Sequence, residues 1–244
     1  MDLADDCAGG DGTSYRPANR DCAGSGGIKA WNTPNELDTE IAASNLIYVR
    51  QGTYTSVDDL RFSPTPAVDP ANEGERITYK LYPGDSAFTL KGDPKDSSFV
   101  GLGVNDHYYT FEGLNFEEFP TGIAFWIGGD YNVLKDITAD KCLTTSCWAF
   151  ISPDATGTVI DGGTFNNAGY YSGQTAVYAE GIKVQGTSTL IQNSYFGNAT
   201  HASILPGYNT DFYTVFRNNV YENTWRHSLN LYFAGQWGIS YFLV

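Results

Sequence analysis

A degenerate repeat in the second half of the chain constrains the fold more than any other feature. Five gap-free segments of similar pattern begin at residues 110, 133, 159, 190 and 215, so successive starts lie 23, 26, 31 and 25 residues apart. Repeats of this length are typical of solenoids, in which one coil buries its apolar face only by stacking on its neighbours. The sequence therefore predicts coils stacked along one axis.

Three positions keep their character in every segment. The second is a large apolar residue that we expect to point inward: Phe111, Leu134, Ile160, Ile191 and Phe216. The fourth is a residue type that tolerates left-handed backbone angles and so marks a corner: Gly113, Asp136, Gly162, Asn193 and Asn218. The seventh is mostly aromatic: Phe116, Ala139, Phe165, Phe196 and Tyr221. Gly, Asn, Thr and β-branched residues dominate the intervals, which favours strands over helices.

These units resemble the coils of the right-handed parallel β-helix, the pectate-lyase-like superfamily. Asn45–Tyr54 and Ile77–Gly92 resemble the first two coils, so the resemblance covers roughly residues 45–235. It implies one all-β domain, a solenoid in which residues 46–244 form the coils. Residues 1–45 are predicted to form a cap, with a short helix over Thr33–Ser44 that covers the exposed strand edges of the first coil. The alternative that the chain is part of a longer β-helix stays open.

Charge and composition limit the partners. The chain has 14 Lys and Arg against 28 Asp and Glu, a net charge of −14, which argues against nucleic acid because phosphate binding needs a basic surface. No run of 18 apolar residues is present, so we expect no membrane-spanning segment. Low lysine content, many aromatic residues and cysteines suited to disulfides together indicate an extracellular or cell-surface protein. Residues 58–75, rich in proline and acidic residues, are expected to be a polar loop that interrupts a coil.

The four cysteines fall into two local pairs, Cys7 with Cys22 and Cys142 with Cys147. Four cysteines allow three connectivities, and the sequence does not choose among them. A Cys7–Cys22 disulfide would brace a Gly- and Asp-rich segment that has little core of its own. Buried free thiols are the alternative, and we favour that alternative more for the second pair.

Four segments with alternating apolar residues occupy equivalent places in successive coils: Gly122–Ile127, Gly181–Gly186, Ala202–Leu205 and His227–Tyr232. Because side chains alternate along a strand, one surface is predicted to collect their outward residues. The substrate-binding candidates on or beside it are Trp126, Gln185, Tyr208, Asn230 and Tyr232, and Lys183 is expected to point outward on the same surface. Ser203 and Leu205 are also expected to face outward. Aromatic rings with amides suit the faces and hydroxyls of sugars.

This surface resembles, weakly, the sites of the alginate lyase and chondroitinase B family of polysaccharide lyases. The resemblance implies a lysine base and an arginine that act on a uronic acid beside bound calcium. Carried onto this chain, Lys183 would be the base, Arg226 would neutralise developing charge, and His227 would complete the catalytic set. Glu180 and Asp211 would hold a Ca²⁺ ion through oxygen ligands. The alternative for Lys183 is an ordinary solvated lysine.

The sequence thus predicts an extracellular carbohydrate-active protein, with a lyase on a uronic-acid polymer as the first hypothesis. A non-catalytic glycan-binding adhesin and a self-associating structural protein are the alternatives. The last rests on an apolar row expected on the outside of another sheet: Val133, Val159, Leu190 and Val215. An outward apolar row on a sheet is unusual unless something covers it, such as a loop or another subunit.

Overall fold

The described chain is all-β. The computed structural model describes residues 41–55, 61–64, 69–92, 98–119, 122–143, 146–171, 174–175, 178–206, 213–223 and 227–229. These residues form strands β1–β22, numbered along the chain, and one 3-10 turn at Glu73–Glu75. Among them, no helix has the length and apolar character that crossing a membrane would require. A short hairpin of β14 (Tyr170–Tyr171) and β15 (Gln174–Thr175) stands apart from three larger sheets.

Each of the three larger sheets is parallel and takes one strand from each successive coil. The first sheet comprises β1 (Leu46–Val49), β3 (Ile77–Leu81), β6 (Tyr109–Glu112), β9 (Val133–Lys135), β12 (Val159–Asp161), β17 (Leu190–Gln192) and β20 (Val215–Arg217). The second comprises β2 (Gly52–Tyr54), β4 (Phe88–Lys91), β7 (Leu114–Phe119), β10 (Thr138–Cys142), β13 (Thr164–Ala168), β18 (Tyr195–Gly197) and β21 (Val220–Glu222). The third comprises β5 (Ser98–Leu102), β8 (Ile123–Ile127), β11 (Ala149–Ile151), β16 (Glu180–Val184), β19 (Ala202–Pro206) and β22 (His227–Leu229). This stacking is consistent with a parallel β-helix.

The register confirms the predicted repeat. In the first sheet, Ile191 pairs with Ile160 on one side and with Phe216 on the other, and the remaining second positions continue the same line. All five of these side chains are at most 9% exposed. The seventh positions form an equivalent inward line in the second sheet, where Phe165 stacks on Phe196 with ring centroids 5.2 Å apart. Burial of these two lines supplies the core, because each coil covers the apolar face of the next.

The predicted corners are present at all five fourth positions. Their φ angles are positive, between 51° and 74°: Gly113, Asp136, Gly162, Asn193 and Asn218. The corner side chains also bond along the stack, since Asn193 Nδ2 lies 2.7 Å from Asp161 Oδ1 and Asn218 Nδ2 lies 3.3 Å from Asn193 Oδ1. Asn and Asp therefore serve here both as residues that tolerate the left-handed conformation and as rungs of a polar ladder.

The N-terminal predictions meet the described residues only in part. The predicted helix over Thr33–Ser44 lies almost wholly outside them, and Ile41, at the start of the described chain, is 1% exposed. The segment predicted to be a polar loop does more than interrupt a coil. Within it, Phe62 forms a parallel bridge with Val100 of β5 and is fully buried, so the segment adds an inward aromatic ring to the core beside the third sheet.

Two rows of side chains cover the outside of the first sheet. The apolar row holds Leu46, Thr78, Thr110, Val133, Val159, Leu190 and Val215. The charged row, two residues further along each strand, holds Tyr48, Lys80, Glu112, Lys135, Asp161, Gln192 and Arg217. The predicted outward orientation of Val133, Val159, Leu190 and Val215 agrees with their partial exposure, which reaches 42% at Val215.

Neighbouring coils exchange hydrogen bonds along the charged row. Lys80 Nζ lies 3.0 Å and Lys135 Nζ lies 3.2 Å from the same oxygen of Glu112. Burial raises the pKa of the Glu112 carboxyl, but the hydrogen bonds and charges of the two lysines outweigh burial and hold that pKa below its usual value. Glu112 is therefore ionised at neutral pH and links three coils.

Candidate functional site

The candidate site lies on the outside of the third sheet. Register places Trp126, Phe150 and Lys183 directly beside one another on β8, β11 and β16. Their strand neighbours point inward and are fully buried, as Phe125, Ala149 and Ile182 show. Trp126 is 47% exposed, while Phe150 and Lys183 are half-buried. The predicted outward orientation of Trp126 and Lys183 is thus what the structure shows.

The three side chains form a continuous strip. The Trp126 and Phe150 ring centroids are 6.2 Å apart at an interplanar angle of 73°, an edge-to-face arrangement that aromatic pairs prefer. Lys183 Nζ lies 5.8 Å from the centroid of the Phe150 ring, at the outer limit of a cation–π contact. The strip is therefore an aromatic platform with an ammonium group at one end.

A second cation lies at the other end of the strip. Gly101 of β5 is the register partner of Trp126, and a side chain on Gly101 would run into the Arg61 guanidinium. Arg61 therefore occupies the place of the missing side chain, one coil before Trp126. Strands are about 4.8 Å apart, so the Gly101 and Lys183 coils are about 14 Å apart.

A buried tryptophan packs against the strand that carries Lys183. Trp148 is fully buried, its ring lies against Phe165 and Phe196, and its indole Nε1 donates to the Asn166 carbonyl at 3.2 Å. Gly181, in the strand that carries Lys183, passes so close to this ring that any side chain there would collide with it. The glycine thus lets β16 lie directly against the tryptophan.

A disulfide joins the second and third sheets just before this point. Cys142 ends β10 and Cys147 precedes Trp148, and the two are bonded with their Cα atoms 5.7 Å apart. Both are fully buried. The alternative of buried free thiols, which we favoured more for this pair than for the other, is therefore wrong, because the corner between the sheets brings the two Cα atoms within disulfide range. Cys7 and Cys22 lie outside the described residues, and their pairing stays a prediction.

Glu180 and His201 form a polar pair at the entrance to two neighbouring strands. His201 Nδ1 lies 3.2 Å from Glu180 Oε1, and the two side chains are 17% and 12% exposed. The ring of Tyr178, itself 56% exposed, meets the His201 ring edge-on at 5.6 Å. Glu180 stands on the same strand as Lys183, and His201 directly precedes the neighbouring strand β19.

The structure describes only some of the predicted site residues. Trp126, Lys183, Gln185 and Glu180 are described, and Gln185 is half-buried just after β16, where its backbone N–H donates to the Ile151 carbonyl at 2.8 Å. The backbone of His227 pairs with Ala202 at the start of β22. The remaining predicted residues lie outside the described parts of the chain: Tyr208, Asp211, Arg226, Asn230 and Tyr232.

Two residues that were predicted to face outward are covered rather than exposed. Ser203 is fully buried and its carbonyl oxygen packs against Gly181, while Leu205 is only 7% exposed although it shares the register of Lys183. The exposed strip therefore ends at Lys183 rather than continuing through β19. A covered surface at Leu205 is consistent with its side chain, since an apolar residue gains stability from burial.

Two residues and one contact of the site were not predicted from the sequence. Phe150 stands on the short strand β11, whose apolar residues directly follow Cys147 and Trp148, and that apolar run was its only sequence signal. Arg61 comes from a segment predicted to be a loop. The contact between His201 and Glu180 joins residues 21 positions apart whose proximity depends on the coil register.

The described residues contain no group of three or more His, Cys, Asp or Glu side chains placed to hold a metal ion. Asp211, the predicted partner of Glu180 in a calcium site, is outside the described range, so that site stays a prediction. Comparison of the chain with protein-family models, curated proteins and solved structures gave no match. The strip and its borders are therefore the features of the molecule that bear on its function.

Proposed function

We propose that the protein is an extracellular right-handed parallel β-helix of the pectate-lyase-like kind that binds an acidic polysaccharide along the outside of its third sheet. The observation that supports this most is the strip itself, with Trp126 and Phe150 between the cations of Arg61 and Lys183. Exposed rings suit sugar faces, and flanking cations suit the carboxylates of uronic acids. A linear polymer matches a strip that runs across four successive coils.

The overall charge makes the two cations important. A protein with a net charge of −14 repels a polyanion, so binding depends on a local positive region. Lys183 and Arg61 supply such a region at the two ends of the aromatic platform. We therefore expect acidic polymers to bind more weakly at high salt, because screening acts on the cations and leaves the stacking contacts largely intact.

The enzymatic form of the proposal is a lyase. As the neutral amine, Lys183 would take the proton from the carbon next to the sugar carboxylate; the adjacent carbon–oxygen glycosidic bond would break, a carbon–carbon double bond would form, and the leaving oxygen would take a proton. Lys183 is the only lysine on the strip among the described residues, and Glu180, which contacts His201, lies on the same strand. Arg226, proposed to neutralise the carboxylate, would act beside it.

We predict that Trp126→Ala weakens binding of the acidic polysaccharide by about tenfold, or about 1.4 kcal/mol, because the exposed ring is lost from the platform. Thermal stability should change little, since an exposed side chain contributes little to the core. Calorimetric titration with a panel of uronic-acid and neutral polymers measures the effect. Tyr131→Ala is a matched control, because Tyr131 is 45% exposed but lies away from the strip. Equal affinities for wild type and Trp126→Ala would place binding elsewhere.

A second prediction separates a lyase from a binding protein. Lys183→Arg keeps the positive charge, but a guanidinium stays protonated and cannot accept the proton. If the protein is a lyase, Lys183→Arg should bind nearly as well as wild type yet form no unsaturated product, measured by ultraviolet absorbance with and without added calcium. Product formation by the arginine variant would exclude Lys183 as the base. Binding without turnover by wild type on every acidic polymer would favour the adhesin.

A further inference from the structure

The outside of the first sheet combines two features that rarely occur together on a solvated surface. Its apolar row is well exposed at its first member, Leu46, at 53%. Its charged row alternates in sign over the central coils, with Lys80, Glu112, Lys135 and Asp161 in consecutive strands. The Lys80 and Lys135 side chains are 40% and 46% exposed, so both rows are accessible.

We infer that this face binds a second copy of the same chain, with the two solenoid axes antiparallel. The required symmetry is a two-fold axis that runs along the strand direction, within the plane between the two sheets. Such an axis keeps the position along each strand and reverses the order of coils. The apolar row of one copy therefore packs on the apolar row of the other, and the charged rows face each other, as a self-complementary two-fold interface requires.

The charges favour one register. When the axis passes between β6 and β9, the charged rows meet in complementary pairs: Lys80 with Asp161, Glu112 with Lys135, and Tyr48 with Gln192. Each pair occurs twice by symmetry, which gives four opposite-charge contacts. An axis through β6 would place Glu112 against its own copy, and an axis through β9 would do the same for Lys135. An axis between β9 and β12 would bring Lys80 against Arg217.

The apolar row agrees with this register. The same axis sets Leu46 against Leu190 and Thr78 against Val159, so the most exposed apolar side chain of the row meets another apolar one. At the centre, Thr110 is only 8% exposed and its hydroxyl lies 3.3 Å from Arg76 Nη1, so Thr110 adds little contact. Two rows of short strands make a small interface, and we expect a weak dimer that forms at high concentration and dissociates in salt.

Alternating charge also stabilises a single chain, because Glu112 already bonds to Lys80 and Lys135 of neighbouring coils. Lys80 and Asp161 distinguish stabilisation within one chain from contact between two copies. They stand three strands apart in one chain, about 14 Å, which is too far for a direct contact. In the dimer they face each other. Any energetic coupling between them of the size of an ion pair would therefore arise between copies.

The test is a charge swap followed by sedimentation velocity over a range of protein concentrations at low salt. Lys80→Glu and Asp161→Lys should each weaken self-association about tenfold or more, and the double variant should return it to within a few-fold of wild type. Lys91→Glu is the matched control, because Lys91 is similarly exposed, at 38%, and is paired with Glu118 on another sheet. The proposal would be overturned if the wild type is monomeric at every concentration, or if the double variant self-associates no more strongly than the single variants.

A crosslinking experiment keeps the proposal testable if the swapped chain folds poorly. Thr78→Cys and Val159→Cys chains, mixed and mildly oxidised, should crosslink with each other more than either does with itself, because the axis pairs position 78 with position 159. Wild type is the control for crosslinks through the native cysteines. Equal crosslinking of mixed and separate chains would contradict the register. The third sheet stays free in this dimer, so the test is independent of polysaccharide binding.

Discussion

Replacing Ile191 with aspartate should lower the free energy of unfolding by about 3–5 kcal/mol, because it buries a carboxylate with no partner in the middle of the stack. Ile191 is fully buried between Ile160 and Phe216, whose coils lie on either side of it. Neither of these neighbours can donate a hydrogen bond from its side chain. The carboxylate would have to become protonated or reach water by opening of the coil. Either change lowers the free energy of unfolding at neutral pH.

Denaturant unfolding of the Ile191→Asp variant, followed by circular dichroism, measures this loss. Leu190→Asp is the matched control, since Leu190 is the preceding residue of the same strand but points outward and is half-buried. A carboxylate there reaches water, so its effect should be much smaller. Similar losses in the two variants would contradict the inward and outward assignment of the whole first sheet, because a shift of one residue exchanges the two faces.

Truncating Trp148 to alanine is expected to cost about 3–5 kcal/mol, the range typical of large aromatic deletions in a core. The indole is fully buried, contacts the rings of Phe165 and Phe196, and donates a hydrogen bond to the Asn166 carbonyl. Its removal also leaves Gly181 above a cavity, so β16 loses the surface on which it rests. Lys183 would then be held less firmly.

Trp148→Phe distinguishes packing from the hydrogen bond. Phenylalanine keeps part of the ring contact but cannot donate to Asn166, so its loss should be smaller than that of the alanine variant. Thermal unfolding gives the stability change, and polysaccharide affinity under conditions where the variants are folded reports on the strip. A Trp148→Ala protein as stable as wild type would mean that the indole does not fill the core between the second and third sheets.

The first and second sheets could be predicted from the sequence because the inward and corner residues recur at the same positions within each repeat unit. Asn193, for example, stands two residues after Ile191, and its left-handed φ of 52° follows from its place in the repeat. One or two residues separate the strands at this corner in each of the five repeat units, from Gly113 alone to the pair before Val220. The repeat was therefore sufficient to predict the inward positions, the corners and the strand register.

The third sheet was harder because its strands lie outside the repeated segment. Phe150 was not predicted, because β11 is only three residues long and lies at no fixed number of residues from the repeated segment. Alternation along the strand predicted that Ser203 and Leu205 face outward. Both are nevertheless buried, and alternation alone does not show whether an outward side chain is covered by another part of the structure. Arg61 comes from a segment 40 residues before Gly101, and no local sequence pattern predicts that the two lie together.

The unequal lengths of the connections between sheets have a consequence for how this molecule can change. Three residues separate β7 from β8, at Phe119 and Ile123, whereas eleven separate β13 from β16, at Ala168 and Glu180. The strands before and after these connections keep their register regardless. Changes in length are therefore compatible with the fold at this edge, whereas the corners between the first and second sheets stay at one or two residues in the five repeat units. Because that edge borders Lys183 and the Glu180–His201 pair, a related chain could acquire a new ligand preference by loop exchange alone, with its core sequence unchanged.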